Sequence, residues 1–598
     1  MPHLQQICRI VVLLLNHNGF NADEPRSDIP KRKKIMLHHR RWQLSKILFM
    51  TGIGAFCACI LTACSTSEPD GRRPLFAALI PTTQPAGLRF APIFTDNMVL
   101  QREMPLPIFG FARSGTSVTL RVLDQTRTTV ADEKGRWIAR FDPLQAGGPY
   151  TVSVTAIEAG RDKTLTLVNV LVGEVWVCSG QSNMELLVSK CSDATVEIAA
   201  ASHPQIRINS SSASFAKASG RDWVECSPKV IANCSAVGYF FGRQLHEDLH
   251  VPIGLVVRAV GGTVIKQWAP KAGEWVENDP DLKPLNDDWK QSILSYAESK
   301  KIYAAWQATT RQIKTARTLA ISPPVPFDPQ RYGGMYDGQI SPLMPFAVRG
   351  VIWYQGETDA RNAREDDQRS TLALMIRAWR KAWGEGDFPF LMVQLANDWG
   401  GTGFNKAPEL PAIPPDNQHW PWVREAQAIA CKLLPNTAMA CTIDLGGKIH
   451  YPGKQSVAKR LAYVAEAQVY KLPVVATGPS YVSMEVVDNA IRLSFLETGH
   501  GLVTREGGPL QGFAIAGKDH KFVWAEATIK GNSVIVHHPL VPHPVAVRYD
   551  WLNDPHGNLY NADGLPTAPF RTDDWPRIWT EALAATAVQI PARAAAKP

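Results

Sequence analysis

Residues 168–185 read V-N-V-L-V-G-E-V-W-V-C-S-G-Q-S-N-M-E. An apolar run of this length, closed by small residues at Ser179 and Gly180, reads as a buried strand. The turn after it carries Gln181, Ser182 and Asn183, and the chain continues as a helix from Met184. A serine lifted off the end of a strand at the start of a helix stands at the rim of a sheet, where backbone N–H groups stabilise a developing oxyanion. The stretch is built to present a nucleophile.

Outward from this stretch, apolar strand candidates at 168–177, 205–209, 253–260, 348–354, 388–395 and 437–444 alternate with helical patterns at 236–250, 368–383, 422–433 and 455–470. Near-continuous apolar strands separated by helices predict an α/β fold with a parallel sheet covered on both faces, and a site at the carboxyl ends of the strands. On either side the texture is short β-prone runs between turn residues, S-V-T-L-R-V-L and Y-T-V-S-V-T before, A-I-R-L-S-F and V-A-V-R-Y-D-W after. This predicts a β-sandwich-like domain at 87–162 and a second β-domain at 476–575, with the catalytic domain at 163–475 between them. Residues 286–317 are a polar, helical excursion, read as an insertion in preference to a lid.

The 598 residues carry a formal charge of +8, but residues 1–63 hold nine Lys/Arg against three acids, which leaves +2 for the rest. The basic excess belongs to a leader and gives no argument for a nucleic-acid partner. In that leader a charged His38-His39-Arg40-Arg41, an apolar stretch over 47–61 and a closing Leu61-Thr62-Ala63-Cys64 form a signal peptide. It resembles a bacterial lipoprotein signal, which implies lipidation of Cys64, a tether over 64–86 and a place in the periplasm or at the outer membrane. Residues 1–35 do not resemble a signal, so Met36 is a candidate start. The Ala-rich tail, 576–598, is given no function. Six cysteines follow Cys64; Cys226 with Cys234 and Cys431 with Cys441 are candidate disulfides, with buried thiols the alternative. No Cys/His cluster has metal-ligand spacing.

Several predicted strands end in loops with polar or glycine signals: Gly180-Gln181-Ser182-Asn183, Gly261-Gly262-Thr263, Gln355-Gly356-Glu357, and Asp444 with His450 beyond it. Serine hydrolysis needs a hydroxyl, a base, a group orienting the base and donors for the oxyanion. Candidates for all four fall at one edge of one sheet.

G-Q-S-N-M-E (180–185), P-I-G-L-V-V-R-A-V-G-G-T (252–263), G-V-I-W-Y-Q-G-E-T (350–358), W-V-R-E-A-Q (422–427) and I-H-Y-P-G-K (449–454) resemble the SGNH hydrolases in their sialate O-acetylesterase-like branch, which includes esterases of xylan and xyloglucan. The resemblance implies a three-layer α/β/α core of SGNH type, Ser182 as nucleophile and His450 as general base. It implies an oxyanion site from the Ser182 N–H, a Gly261 or Gly262 N–H and the Gln355 side chain, with no cofactor. Gln181, Asn183, Trp268 and Glu357 are the candidate substrate contacts. Many SGNH enzymes carry an aspartate three residues before the histidine; here that position is Gly447. Asp444 is the nearest candidate acid, against a Ser–His dyad. Asp359 is a second candidate acid or a loop residue bonding its own backbone, and Glu357 orients donors or is a buried structural carboxylate.

The sequence therefore predicts an exported carbohydrate O-acetylesterase. Tryptophans at 176, 268, 353, 399, 420 and 422 favour platforms for a neutral hemicellulose; a sialate, whose carboxylate calls for an arginine, is the alternative. The reading from another class is a non-catalytic glycan-binding surface lipoprotein.

Overall fold

The computed structural model describes residues 87–158, 160–271, 274–312, 324–397 and 418–576. Cys64 with its leader, the tether, Trp399 and the tail beyond 576 lie outside the described residues.

A single strand, β1 (Arg161–Gly180), is the axis of the molecule. Its first half, K-T-L-T-L, alternates half-buried and exposed residues, and its second half is buried throughout, from Val170 to Gly180. The first half pairs antiparallel with Gly147–Glu158. The second half pairs parallel with β4 (Ile253–Ala259) and β5 (Gly350–Tyr354). The sequence reading places a domain boundary at 162/163; the chain instead crosses that point inside one strand. The alternation at 164–167 belongs to a half-exposed sheet, and the change of rhythm marks where the strand becomes covered on both sides.

With β2 (His203–Ser210), β3 (Val224–Cys226), β6 (Phe390–Val393) and β7 (Thr437–Ala440), the order across the sheet is β3-β2-β4-β1-β5-β6-β7. All these pairs are parallel except β3 with β2. Alternate residues go to opposite faces, as the strand period requires. Val175, Val177, Val351, Trp353, Phe390 and Met392 join one apolar cluster with Leu372, Met375, Ile376 and Trp379 of helix Glu365–Trp383. Trp176, Cys178, Ile352, Tyr354, Leu391 and Val393 join another with Phe241 and Leu245 of helix Ala236–Leu249 and Val457 and Leu461 of helix Lys454–Gln468. The excursion at 286–317 falls largely within a long helix, Lys283–Gln312.

The N-terminal strands share the first of these clusters, with Leu106, Ile108, Val118 and Val154 in it. The strands from Ser480–Val487 to Phe570–Arg571 have a cluster of their own around Ile491, Phe513, Val534 and Tyr549. The six cysteines from Cys178 to Cys441 are free thiols, so the thiol alternative holds and the two candidate disulfides do not form here.

Candidate active site

Register brings the site together. Gly180, at the end of β1, is paired with Ala259 of β4 on one side and Tyr354 of β5 on the other. The chain leaves all three strands at the same level, and the loops at Gln181, Val260 and Gln355 emerge side by side. Gly180 has a φ of +133°, and a Cβ there would collide with the Tyr354 carbonyl, so only glycine allows this close strand exit. The next residues form one helical turn, Ser182–Glu185, with Ser182 as its first residue.

Ser182 is half-buried, and its hydroxyl donates to Nε2 of His450 at 2.9 Å. The two residues are 268 positions apart in the chain. His450 is carried by the loop between β7 and helix Lys454–Gln468. Its pKa is held below the ordinary imidazole value, by burial first and then by the positive charges of Lys454 and Arg361. The imidazole is therefore neutral at neutral pH and able to accept a proton.

The expected acid is elsewhere. Asp444 forms a two-pronged ion pair with Arg460, at 2.5 and 2.8 Å, and also meets Arg505 at 3.5 Å. Burial alone pushes its carboxyl up, but the Arg460 bonds outweigh this and hold it below the ordinary range. Asp444 thus ties the loop to the helix below it and to the C-terminal region; it does not back the imidazole. The other candidate, Asp359, is fully buried and accepts from the Ile265 N–H, Gln355 Nε2 and Gln368 Nε2. Burial pushes its pKa up to about 7. Among the described residues no carboxylate is hydrogen-bonded to His450. Gly447, three residues before the histidine, has a φ of +91°, which suits glycine and strains any other residue.

The oxyanion expectation also needs correction. The Gly261 N–H donates to the Glu185 carboxylate at 2.9 Å. Gln355 is 1% exposed, and its Nε2 donates to the Thr263 carbonyl and to Asp359 while Gln368 Nε2 donates to its oxygen. Both donors are committed within the protein. The Ser182 N–H heads its helical turn, and Gly262 is exposed with a φ of +72° and open space around it. Gly261 lies against Ser182, since a Cβ built on it would be 3.3 Å from the serine Cβ.

The four candidate substrate contacts are all buried. Gln181 accepts from the Thr358 N–H at 3.4 Å. Trp268 is wholly inside, donating to Thr263 Oγ1 at 2.9 Å and packing edge-on against Trp353. Asn183 and Glu357 bond to one another, and Lys454 Nζ donates to Asn183 Oδ1 at 2.6 Å. Polarity in a strand-end loop did not signal exposure. Two residues escaped the sequence reading: Glu185, which pins the glycine loop, and Lys454, which is fully buried. Lys454 had a signal, because it occupies the first position of the apolar stripe 454, 457, 458, 461 of its helix.

A neutral imidazole bonded to a serine hydroxyl, at the carboxyl edge of a parallel sheet, is the arrangement of a serine hydrolase. A family model described as a carbohydrate esterase, sialic acid-specific acetylesterase, matches residues 172–280 and 330–465. Sialate O-acetylesterase of Rattus norvegicus is 30% identical over 424 residues, which cover 64% of this chain and 74% of the rat protein. That of Homo sapiens is 27% identical over 530 residues, covering 81% of this chain and 92% of its own length. The crystal structure of a carbohydrate acetylesterase from Xanthomonas citri superposes with a TM-score of 0.65 at 33% identity, over 81% of this chain and the whole of that one. The chain belongs to the sialate O-acetylesterase-like family of carbohydrate esterases, and it is an esterase.

Proposed function

We propose that this esterase removes O-acetyl groups from carbohydrates through an acetyl-enzyme on Ser182, with His450 as the general base of a Ser–His dyad. The observation that carries the reading is the 2.9 Å bond from Ser182 Oγ to His450 Nε2. Nε2 takes the hydroxyl proton as Oγ attacks the acetyl carbonyl, and returns it to the departing sugar oxygen. Water then repeats the sequence, losing its proton to Nε2 as it attacks the acetyl-serine, and acetate leaves with Oγ reclaiming the proton. The Ser182 and Gly262 N–H groups are the proposed oxyanion donors; one such donor is worth roughly 10²–10³ in kcat. The parallel sheet with helices on both faces supports an SGNH-type core flanked by β-domains.

The substrate reading shifts with the tryptophans. Among the described residues Trp176, Trp268, Trp353, Trp420 and Trp422 are buried, which weakens the platform argument for acetylated xyloglucan or xylan. Arg361 is exposed, and its charge acts on His450. An O-acetyl sialate, the ester named for the curated relatives, is placed first. Acetate release from O-acetyl sialate, acetylated xyloglucan and acetylated xylan, measured side by side, tests this. Preference for either neutral polymer returns the hemicellulose reading. The signal-like segment ending at Cys64 supports export and a lipid anchor, and mass spectrometry of the native N-terminus, with a diacylglyceryl Cys64 expected, checks that.

A further inference from the structure

Among the described residues no carboxylate backs His450, and the loop that carries it is held by other bonds. His450 lies in an irregular loop, and a displacement of about 1 Å at such a group lowers turnover by about 10². Asn183 follows the nucleophile directly in the chain, and its Nδ2 donates at 2.8 Å to the carbonyl of Ile449, the residue before the base. The contacts close a small ring: Ser182 to Asn183 along the chain, Asn183 to Ile449 by this bond, Ile449 to His450 along the chain, and His450 back to the Ser182 hydroxyl.

The amide in this ring has one permitted orientation. Lys454 Nζ can only donate, so it fixes Oδ1, and the Glu357 carboxylate accepts from Nδ2 on the opposite side. Lys454 also lies 4.9 Å from the centre of the Tyr354 ring, on the strand that flanks β1. Asn183 is 2% exposed, Glu357 4% and Lys454 0%. A buried carboxylate and ammonium bridged by an amide are weak evidence of stabilisation, since desolvation offsets most of their attraction. Their geometry is better accounted for by what the amide holds.

We propose that Asn183, locked between Glu357 and Lys454, is a positioning residue for His450. The inference rests on the Ser182–His450 reading. Asn183→Ser removes the bond to Ile449. It is expected to lower kcat on p-nitrophenyl acetate by about 10², with KM within about threefold. The rate of Ser182 phosphonylation by a fluorophosphonate should fall in parallel. In Lys454→Met the loss of a positive charge beside His450, with Arg361 the other cation acting on it, moves the acid limb of kcat/KM to higher pH. Should Asn183→Ser fail to fold, the neutral double variant Glu357→Gln/Lys454→Met frees the amide to turn and is expected to lower kcat at least about tenfold. A folded variant that keeps wild-type kcat and acid limb, losing only Tm, overturns the proposal. Turnover that survives Ser182→Ala overturns the dyad and this inference together. Turnover that needs Ser182 but not Asn183 overturns this inference alone.

Discussion

Replacing Asp444 with asparagine separates two accounts of this site. Asp444 and Arg460 keep 10% and 13% of their side chains exposed and meet through two bonds. Asparagine preserves the shape, removes the charge and presents an NH₂ to a guanidinium that cannot accept. Breaking a buried pair by neutralising one partner destabilises by about 3–5 kcal/mol. For a chain of this size that is a few degrees in Tm. If Asp444 were the triad acid, the same substitution would lower kcat by about 10⁴ through the imidazole tautomer. The dyad account predicts a lower Tm, followed by differential scanning fluorimetry, and a kcat on p-nitrophenyl acetate within about threefold of wild type at a temperature where both proteins are folded. A kcat loss of about 10³ or more in folded protein would refute the assignment of Asp444 to Arg460 and Arg505 in place of His450.

The acid limb of kcat/KM should lie below 6.5, because the base works when neutral and burial, Lys454 and Arg361 all favour the neutral imidazole; a pH–rate profile showing the limb above 6.5 would contradict this. Glu185→Ala releases the Gly261 amide and should lower kcat by about tenfold, the worth of one charge-assisted hydrogen bond, read by steady-state kinetics. Trp268→Phe loses the bond to Thr263 and should lower stability by about 1–3 kcal/mol in a denaturant titration, leaving KM for the glycan within about twofold; a selective rise in KM would restore Trp268 as a sugar contact.

The strands and helices that carry the site were legible from period alone. The strand expected at 253–260 is Ile253–Ala259, and the helix expected at 455–470 is Lys454–Gln468. The pairing of an early serine with a late histidine followed from where those strands end. What escaped was partnership. Asp444 sat near His450 in sequence, but its charge is answered by Arg460, sixteen residues on in the helix Lys454–Gln468. Gln355 looked like a free donor because one acceptor, the Thr263 carbonyl, lies 92 residues away in the chain, and the other, Asp359, four residues on in the helical turn Glu357–Arg361, was read as a candidate acid. Asn183 and Glu357 looked like substrate contacts for the same reason. β1 was cut short because its sequence changes rhythm at the point where its burial, not its conformation, changes.

Covalent labelling tests the central claim most directly. A fluorophosphonate should leave its adduct on the peptide bearing Ser182, identified by tandem mass spectrometry, with inactivation tracking occupancy and slowed at least about 10² in His450→Ala. An adduct on another residue, or labelling of Ser182 at an undiminished rate without His450, would contradict the account.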